Sequence, residues 1–153
     1  MEIDLSILIP TIPSRYEQYG ELLSVLMPQV SKHKNVEVLT LSDNYIVPIG
    51  EKRNKLISMA QGKYVAFVDD DDMVSGAYVA ELLRAIGHAQ DADVILFDML
   101  VQFTDGSLTC QYDLFFRDFK LINERYFVGA GWHIHAWHRR IAKLLKYNPI
   151  WYG

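Results

Sequence analysis

Short apolar segments alternate with helical patterns along the first hundred residues, and this alternation restricts the chain to few folds. Residues 5–9, 36–41 and 64–68 are rich in β-branched and aromatic side chains, which is typical of strands buried on both faces of a sheet. Apolar residues recur at helical spacing over residues 14–30, 51–61 and 75–86. The pattern predicts an α/β fold with a doubly wound, mostly parallel sheet flanked by helices.

The second half of the chain predicts a sheet that becomes mixed. Residues 94–103 resemble one strand, and the turn residues at 104–107 predict a hairpin leading into a strand over 108–112. Residues 113–138 are aromatic and irregular, and residues 139–147 predict a last short helix. A length of 153 residues suits one domain with a sizeable core.

Composition narrows the functional class. Half of the residues are hydrophobic, 22% are charged and the net charge is -4, which is typical of a globular protein and argues against general nucleic-acid binding. Cys110 is the only cysteine, so no internal disulfide can form. The amino terminus lacks the positive region of a signal peptide, and no apolar run approaches the ~20 residues of a transmembrane segment. We therefore expect a cytoplasmic chain.

Four consecutive carboxylates, Asp69 to Asp72, follow directly on the strand predicted at 64–68. Adjacent carboxylates repel one another unless solvent, protonation or a cation relieves them, and Mg²⁺ and Mn²⁺ prefer oxygen ligands. A solvated loop is the alternative interpretation. An EF-hand is excluded, because the fifth, sixth and twelfth positions counted from Asp69 hold Met, Val and Ala. The run therefore predicts either a divalent cation site of another kind or a solvated loop.

Polar segments at residues 11–15, 42–44 and 69–72 each follow a predicted strand. The carboxyl ends of parallel strands meet at one edge of the sheet, which is where open α/β sheets bind ligands. A solvated acidic loop has no reason to face two other polar strand ends. The convergence therefore favours a functional site.

Several residues stand in a familiar order and spacing. Ser6 to Thr11 (SILIPT) is followed by Arg15, then by Arg53-Asn54, and then by the run AQGKYVAFVDDDD at residues 60–72. Together they resemble the N-terminal nucleotide-sugar-binding portion of the family 2 glycosyltransferases, which have the GT-A fold. The resemblance covers nearly half of the chain well and the rest loosely. It implies metal-dependent, inverting transfer of a sugar from a nucleotide-diphosphate sugar to a glycan, lipid or other acceptor.

The resemblance also implies roles for individual residues. Asp69 and Asp71 would be the acids of the DxD motif, with Asp71 coordinating the Mn²⁺ or Mg²⁺ ion of the donor diphosphate directly. Asp43, which ends the second strand, would hydrogen-bond the nucleobase of the donor. Arg53 and Arg15 would lie near the ribose or the phosphates, and Thr11 would line the nucleotide pocket. These donor-binding residues are Thr11, Arg15, Asp43, Arg53 and Asp70. Three of them also have a structural alternative: Thr11 as a loop cap, Asp43 as an Asx turn and Arg53 as an exposed helix residue.

The general base of the family, usually an Asp in a Glu-Asp pair, has no counterpart before Gly153. By resemblance, residues 1–153 form one GT-A-like domain, with a nucleotide-binding half at 1–103 and a truncated acceptor-side half at 104–153. Residues 132–146 loosely resemble the stretch that precedes the pair. Three alternatives stay open: a truncated or minimal transferase, a transferase with another base, and a nucleotide-sugar-binding module with little catalysis.

Two other patterns allow competing interpretations. His133, His135 and His138 are interleaved with apolar residues and joined by no cysteine, so acceptor contacts, an auxiliary contact to the donor metal, or packing are favoured over zinc. A nucleotidyltransferase shares the architecture, but the loop at 10–15 contains no glycine for close approach to a triphosphate. The sequence leaves open whether the chain forms a homo-oligomer.

Overall fold

The structure is a computed structural model that describes residues 2–89, 91–115, 120–123, 126–129 and 133–151. Strands and helices alternate up to residue 95, and strands dominate afterwards. In chain order the elements are β1 (Leu5–Thr11), α1 (Tyr16–Val30), β2 (Val36–Ser42), α2 (Ile49–Met59), β3 (Tyr64–Phe67), α3 (Tyr78–His88), β4 (Val94–Ile95), β5 (Met99–Phe103), β6 (Gly106–Tyr112), β7 (Lys120–Asn123), β8 (Tyr126–Gly129), β9 (Ala136–His138) and α4 (Arg139–Ala142).

The main sheet has five strands in the order β2-β1-β3-β9-β4. Strand β1 is parallel to both β2 and β3, whereas β9 is antiparallel to β3 and to β4. The predicted α/β fold, with a parallel first part and a sheet that becomes mixed toward the C-terminus, is therefore confirmed. A second sheet has the order β5-β6-β8-β7.

Helices cover both faces of the main sheet because β1 is apolar on both sides. Leu5, Ile7 and Ile9 are buried in one core cluster, together with side chains of α1 and α3. Leu8 points to the opposite face, where it packs with α2 and α4. Since successive side chains of a strand point to opposite faces, a continuous apolar strand needs a cover on each side. The helices on both faces bury β1 and β3, whose carboxyl ends lie at one edge of the sheet.

The second half of the chain differs from the prediction in three places. The strand predicted at 94–103 is two strands in different sheets, since β4 pairs with β9 and β5 pairs with β6. The segment predicted as irregular contains β7, β8 and β9. Strand β8 pairs with β6, and β9 pairs with β3 and β4, which are distant in sequence, whereas β7 pairs with its neighbour β8. Residues 116–119, 124–125 and 130–132 lie outside the described residues. The helix predicted at 139–147 ends at Ala142. The predicted hairpin is confirmed, because Phe103 pairs with Gly106.

Within the described ranges, no helix combines the length and the apolarity that crossing a membrane requires. The cytoplasmic location, the oligomeric state and the division of the chain at residue 103 stay predictions.

Candidate functional site

A cavity of about 700 Å³ lies at the carboxyl edge of β1 and β3, against the N-terminal turns of α2. Six of the seven predicted site residues line it, although they come from separate segments of the chain. These six are Thr11, Arg15, Arg53, Asp69, Asp70 and Asp71. The strand ends therefore converge, as the parallel arrangement predicted.

Asp70 is the buried member of the acidic run, with 3% of its surface exposed. Its carboxylate accepts hydrogen bonds from Thr11 Oγ1 at 2.7 Å and from Arg15 Nη1 at 2.9 Å. A buried carboxylate needs such partners, because it has left the water that solvates it. The bond to Asp70 raises the pKa of Arg15. Asp70 thus ties the loop after β1 to the acidic run.

Asp69 is held by two side chains from other parts of the chain. Arg53 Nη2 lies 3.1 Å from Asp69 Oδ1, and His133 Nε2 lies 3.3 Å from Asp69 Oδ2. Burial by itself would raise the pKa of Asp69, but His133 and Arg53 outweigh it, so the pKa lies below its ordinary value. His133, to which the sequence assigned no single role, therefore belongs to the cavity.

Arg53 is fixed by aromatic contacts as well as by its carboxylate. Its guanidinium carbon lies 5.8 Å from the ring centroid of Phe67 and 5.6 Å from that of Tyr147. Guanidinium groups interact favourably with aromatic faces at such distances. The side chain is buried, so the alternative of an exposed helix position is excluded for Arg53.

Asp71 is the more accessible of the two carboxylates that contact Arg15, with 49% of its side chain exposed. Its Oδ2 lies 3.0 Å from Arg15 Nη1. Asp72 also lines the cavity; partial desolvation and the negative charges of Asp69 and Asp71 raise its pKa. In the described part of the chain, no three carboxylate, His or Cys side chains form a ready-made metal site. Mg²⁺ and Mn²⁺ are often held by one or two carboxylates and completed by phosphate oxygens, and the residues present fit that arrangement.

Asp43 is the predicted site residue that the structure does not bring to the cavity wall. Its Oδ2 accepts hydrogen bonds from the backbone N–H groups of Ile46 at 2.6 Å and Val47 at 2.7 Å, and its Oδ1 pairs with Lys52 Nζ. Burial would raise the pKa of Asp43, but Lys52 and the two N–H groups lower it below its ordinary value. Asp43 therefore holds the turn after β2, as the structural alternative expected, although its bonds reach the third and fourth residues on and not the second, as in an Asx turn.

Lys52 is a cavity residue that sequence reasoning missed. It is 97% buried, and its Nζ donates to the Thr11 carbonyl at 2.9 Å. A usable signal was present, since Lys52 and Arg53 lie one helical turn before Leu56 and Ile57, on the inward face of α2. Charged residues in the apolar stripe of a helix point to a buried partner.

The three histidines do not form a common site. His135 is fully buried between the rings of Phe97 and Tyr112, at 4.9 and 4.3 Å, and burial, with a contribution from His133, lowers its pKa to about 4. His138 packs edge-on against Tyr64 at 5.0 Å. The contacts therefore support packing for His135, and for His138 packing together with a cap of α4, because its Nδ1 accepts the Arg140 N–H at 3.2 Å. Of the three histidines, His133 alone lines the cavity.

Two known proteins, one of them in two solved structures, are similar to part of this chain. It is 32% identical to EpsH of Bacillus subtilis (strain 168), provisionally described as a glycosyltransferase, over 66 residues that span 43% of this chain and 19% of EpsH. Among solved structures, S. aureus TarS 1–349 is 22% identical with a TM-score of 0.49, covering 63% of this chain and 36% of TarS. TarS 1–349 in complex with UDP-GlcNAc is 24% identical with a TM-score of 0.48, covering 63% and 34%. The match thus spans a minor part of the length of each of these proteins.

The family profile described as Glycosyl transferase family 2 matches residues 17–139, which is most of the chain. The matched residues include all but the first residue of α1, the whole of α2 and α3, and the acidic run that follows β3. The chain belongs to glycosyl transferase family 2.

Proposed function

We propose that this chain binds a nucleotide-diphosphate sugar with a divalent cation and takes part in transfer of the sugar to an acceptor. The observation that carries the proposal is the meeting of four carboxylates and three cationic side chains around one cavity. The carboxylates follow β3, and the cations come from the loop after β1 and from α2. Family membership supports the same reaction class.

The charges at the cavity favour a cation as part of the ligand. Among the described side chains that line it, Asp69 to Asp72 outnumber Arg15, Lys52 and Arg53. A diphosphate alone would add negative charge to a cavity that already has an excess of carboxylate. Mg²⁺ or Mn²⁺ removes this excess, because it binds carboxylate and phosphate oxygens together.

Different residues would bind the cation and the nucleotide-sugar donor. Asp71 is the proposed direct ligand, because its carboxylate is accessible, and Asp69 is the second acid. When bound there, the cation would neutralise the charge that develops on the departing diphosphate. Arg15 is placed to exchange its contact with Asp71 for one with a phosphate oxygen, while Asp70 and Thr11 keep it in position. Asp43 supports this site indirectly, through Lys52.

Calorimetric titration with UDP and with GDP, in the presence of Mn²⁺ or EDTA, tests the binding step. We expect binding in Mn²⁺, loss of binding in EDTA, and about tenfold or greater weakening in Asp71→Asn. The matched control is Asp105→Asn, which removes an exposed carboxylate from the β5–β6 turn and should leave binding unchanged. If neither nucleotide binds in Mn²⁺, the proposal is wrong.

A turnover assay separates a transferase from a binding module. We expect Mn²⁺-dependent release of UDP or GDP from the corresponding nucleotide sugars, with a strong reduction in Asp71→Asn. Metal-dependent binding without turnover would assign this chain to nucleotide-sugar binding alone. Where a transfer product forms, the anomeric coupling constant in its proton NMR spectrum tests the expected inversion.

A further inference from the structure

We propose that Lys52 donates a hydrogen bond to a carbonyl oxygen of the donor nucleobase, and that the site prefers bases with an oxo group where cytosine and adenine have an amino group. This inference rests on the proposed function, because it takes the diphosphate to lie near Asp69 and Asp71. It assigns a specificity role to a residue that the sequence pattern did not single out.

The order of the strands places Lys52 away from the acidic run. Asp69 follows β3, Thr11 ends β1 and Asp43 follows β2, in a sheet whose order is β2-β1-β3. Neighbouring strands lie about 4.8 Å apart. Lys52 Nζ bonds to the Thr11 carbonyl and to Asp43, so it lies between the ends of β1 and β2. A nucleotide sugar whose phosphates lie at the β3 end of the cavity extends toward the ends of β1 and β2 with its nucleoside.

The ammonium group of Lys52 has one N–H group more than its contacts with the described residues use. It carries three N–H groups, and its contacts with the described residues account for two of them, to Thr11 O and to Asp43 Oδ1. Lys52 is 97% buried and lines the cavity, so bulk water is an incomplete partner for the third. A buried donor is stabilised by an acceptor within hydrogen-bonding distance. A ligand in the cavity can supply that acceptor.

The surface beside Lys52 suits a planar ring. Tyr45 lines the cavity with 64% of its surface exposed, and its φ of 58° is in the left-handed region. Asp43 holds this turn by accepting the N–H groups of Ile46 and Val47. Val47 also lines the cavity, and an aromatic side chain can stack on a base. The β2 end of the cavity therefore offers an aromatic and apolar contact surface beside the ammonium group of Lys52.

The pairing with Asp43 argues for a neutral acceptor and against a phosphate at Lys52. The carboxylate of Asp43 already balances the charge of Lys52, so the pair has no excess positive charge with which to attract an anion. An ammonium group donates and never accepts, so it bonds a carbonyl oxygen and is mismatched with an exocyclic amino group. This difference predicts discrimination between bases that share one ring system.

Calorimetric titration in Mn²⁺ with two matched pairs of nucleotides tests the inference: UDP against CDP, and IDP against ADP. UDP and IDP carry the oxo group, and CDP and ADP carry the amino group. In the pair with the higher affinity, we expect the nucleotide with the oxo group to bind about tenfold more tightly than its partner. The preference should fall to about threefold or less in Lys52→Met. The double variant Asp43→Asn, Lys52→Met removes the same donor without leaving an unpaired buried carboxylate, and should show the same loss. Lys55→Met, an exposed lysine of the same helix, should keep the preference.

The outcomes are distinguishable from failure of the proposed function. No nucleotide binding by the unaltered protein in Mn²⁺ overturns the proposed function and this inference together. Metal-dependent binding with equal or reversed preference in the tighter pair overturns this inference alone. An equal loss of affinity for every nucleotide in the lysine variants also overturns it, since it would place Lys52 at the ribose or the phosphates. The comparison between UDP and CDP on the unaltered protein needs no variant to fold.

Discussion

The side chain of Asn54 and the backbone of Tyr147 exchange two hydrogen bonds. Asn54 Nδ2 donates to the Tyr147 carbonyl at 2.9 Å, and Asn54 Oδ1 accepts the Tyr147 N–H at 2.9 Å. The pairing brings the Tyr147 ring against Arg53, which in turn contacts Asp69. Helix α2 and the segment after α4 therefore support the cavity as one unit.

Asn54→Ala should lower the free energy of unfolding by about 1–3 kcal/mol, because it leaves two backbone groups of Tyr147 without their partner. Urea unfolding followed by circular dichroism measures the change. Ser58→Ala is the matched control, since Ser58 is exposed on the same helix and bonds locally to the Lys55 carbonyl. A change in Ser58→Ala as large as that in Asn54→Ala would contradict the assignment.

Gly50→Ala should destabilise the protein, because a Cβ at this position would lie 1.8 Å from the backbone carbonyl oxygen of Asn148. Backbone atoms cannot yield as a flexible side chain can, so the segment around Asn148 must move. Gly20→Ala is the opposite case: nothing lies within 4 Å, and in the interior of α1 the change should stabilise by about 0.5–1 kcal/mol. Thermal unfolding of the two variants should shift the midpoint in opposite directions, and equal shifts would refute the contact.

Thr11→Val should lower the free energy of unfolding by about 1–3 kcal/mol, because it removes one of the two side-chain donors of the buried Asp70 carboxylate without changing the side-chain shape. The control is Thr104→Val in the exposed β5–β6 turn, where we expect a change within about 0.5 kcal/mol. Urea midpoints at one pH measure both. If Thr11→Val proves as stable as the unaltered protein, the bond to Asp70 contributes nothing to stability.

Lowering the pH from about 6.5 to about 4 should reduce the stability of the protein, because the pKa of His135 differs between the folded and the unfolded chain. Its pKa is about 4 when folded and 6.5 as an ordinary histidine, so between these values the unfolded chain binds a proton that the folded chain does not. The contribution of neutral His135 is complete above pH 6.5 and declines toward pH 4, by as much as about 3 kcal/mol. Urea unfolding from pH 7.5 to 5 should show a smaller decline in His135→Phe than in the unaltered protein. His88→Gln, at an exposed position, should leave the decline unchanged.

Much of the cavity could be predicted because its residues follow strands whose composition is readable. The apolar strands predicted at 5–9 and 64–68 place Thr11 and the acidic run at one edge of a parallel sheet, and the structure brings them together. Lys52 and His133 escaped this reasoning for different reasons. The partners of Lys52 lie on β1 and after β2. The position of His133 depends on how the chain returns to the cavity after the strands of the second sheet.

Local pattern alone determined that the chain is α/β, that β1 and β3 are buried, and that carboxylates gather where β3 ends. These properties depend on side-chain periodicity and composition, which neighbouring residues carry. Only the tertiary structure decided that Asp43 pairs with Lys52, that Arg53 contacts both Phe67 and Tyr147, and that residues 94–103 divide between two sheets. Each of these depends on a contact between residues far apart in the sequence, or on desolvation that only the packed layers produce.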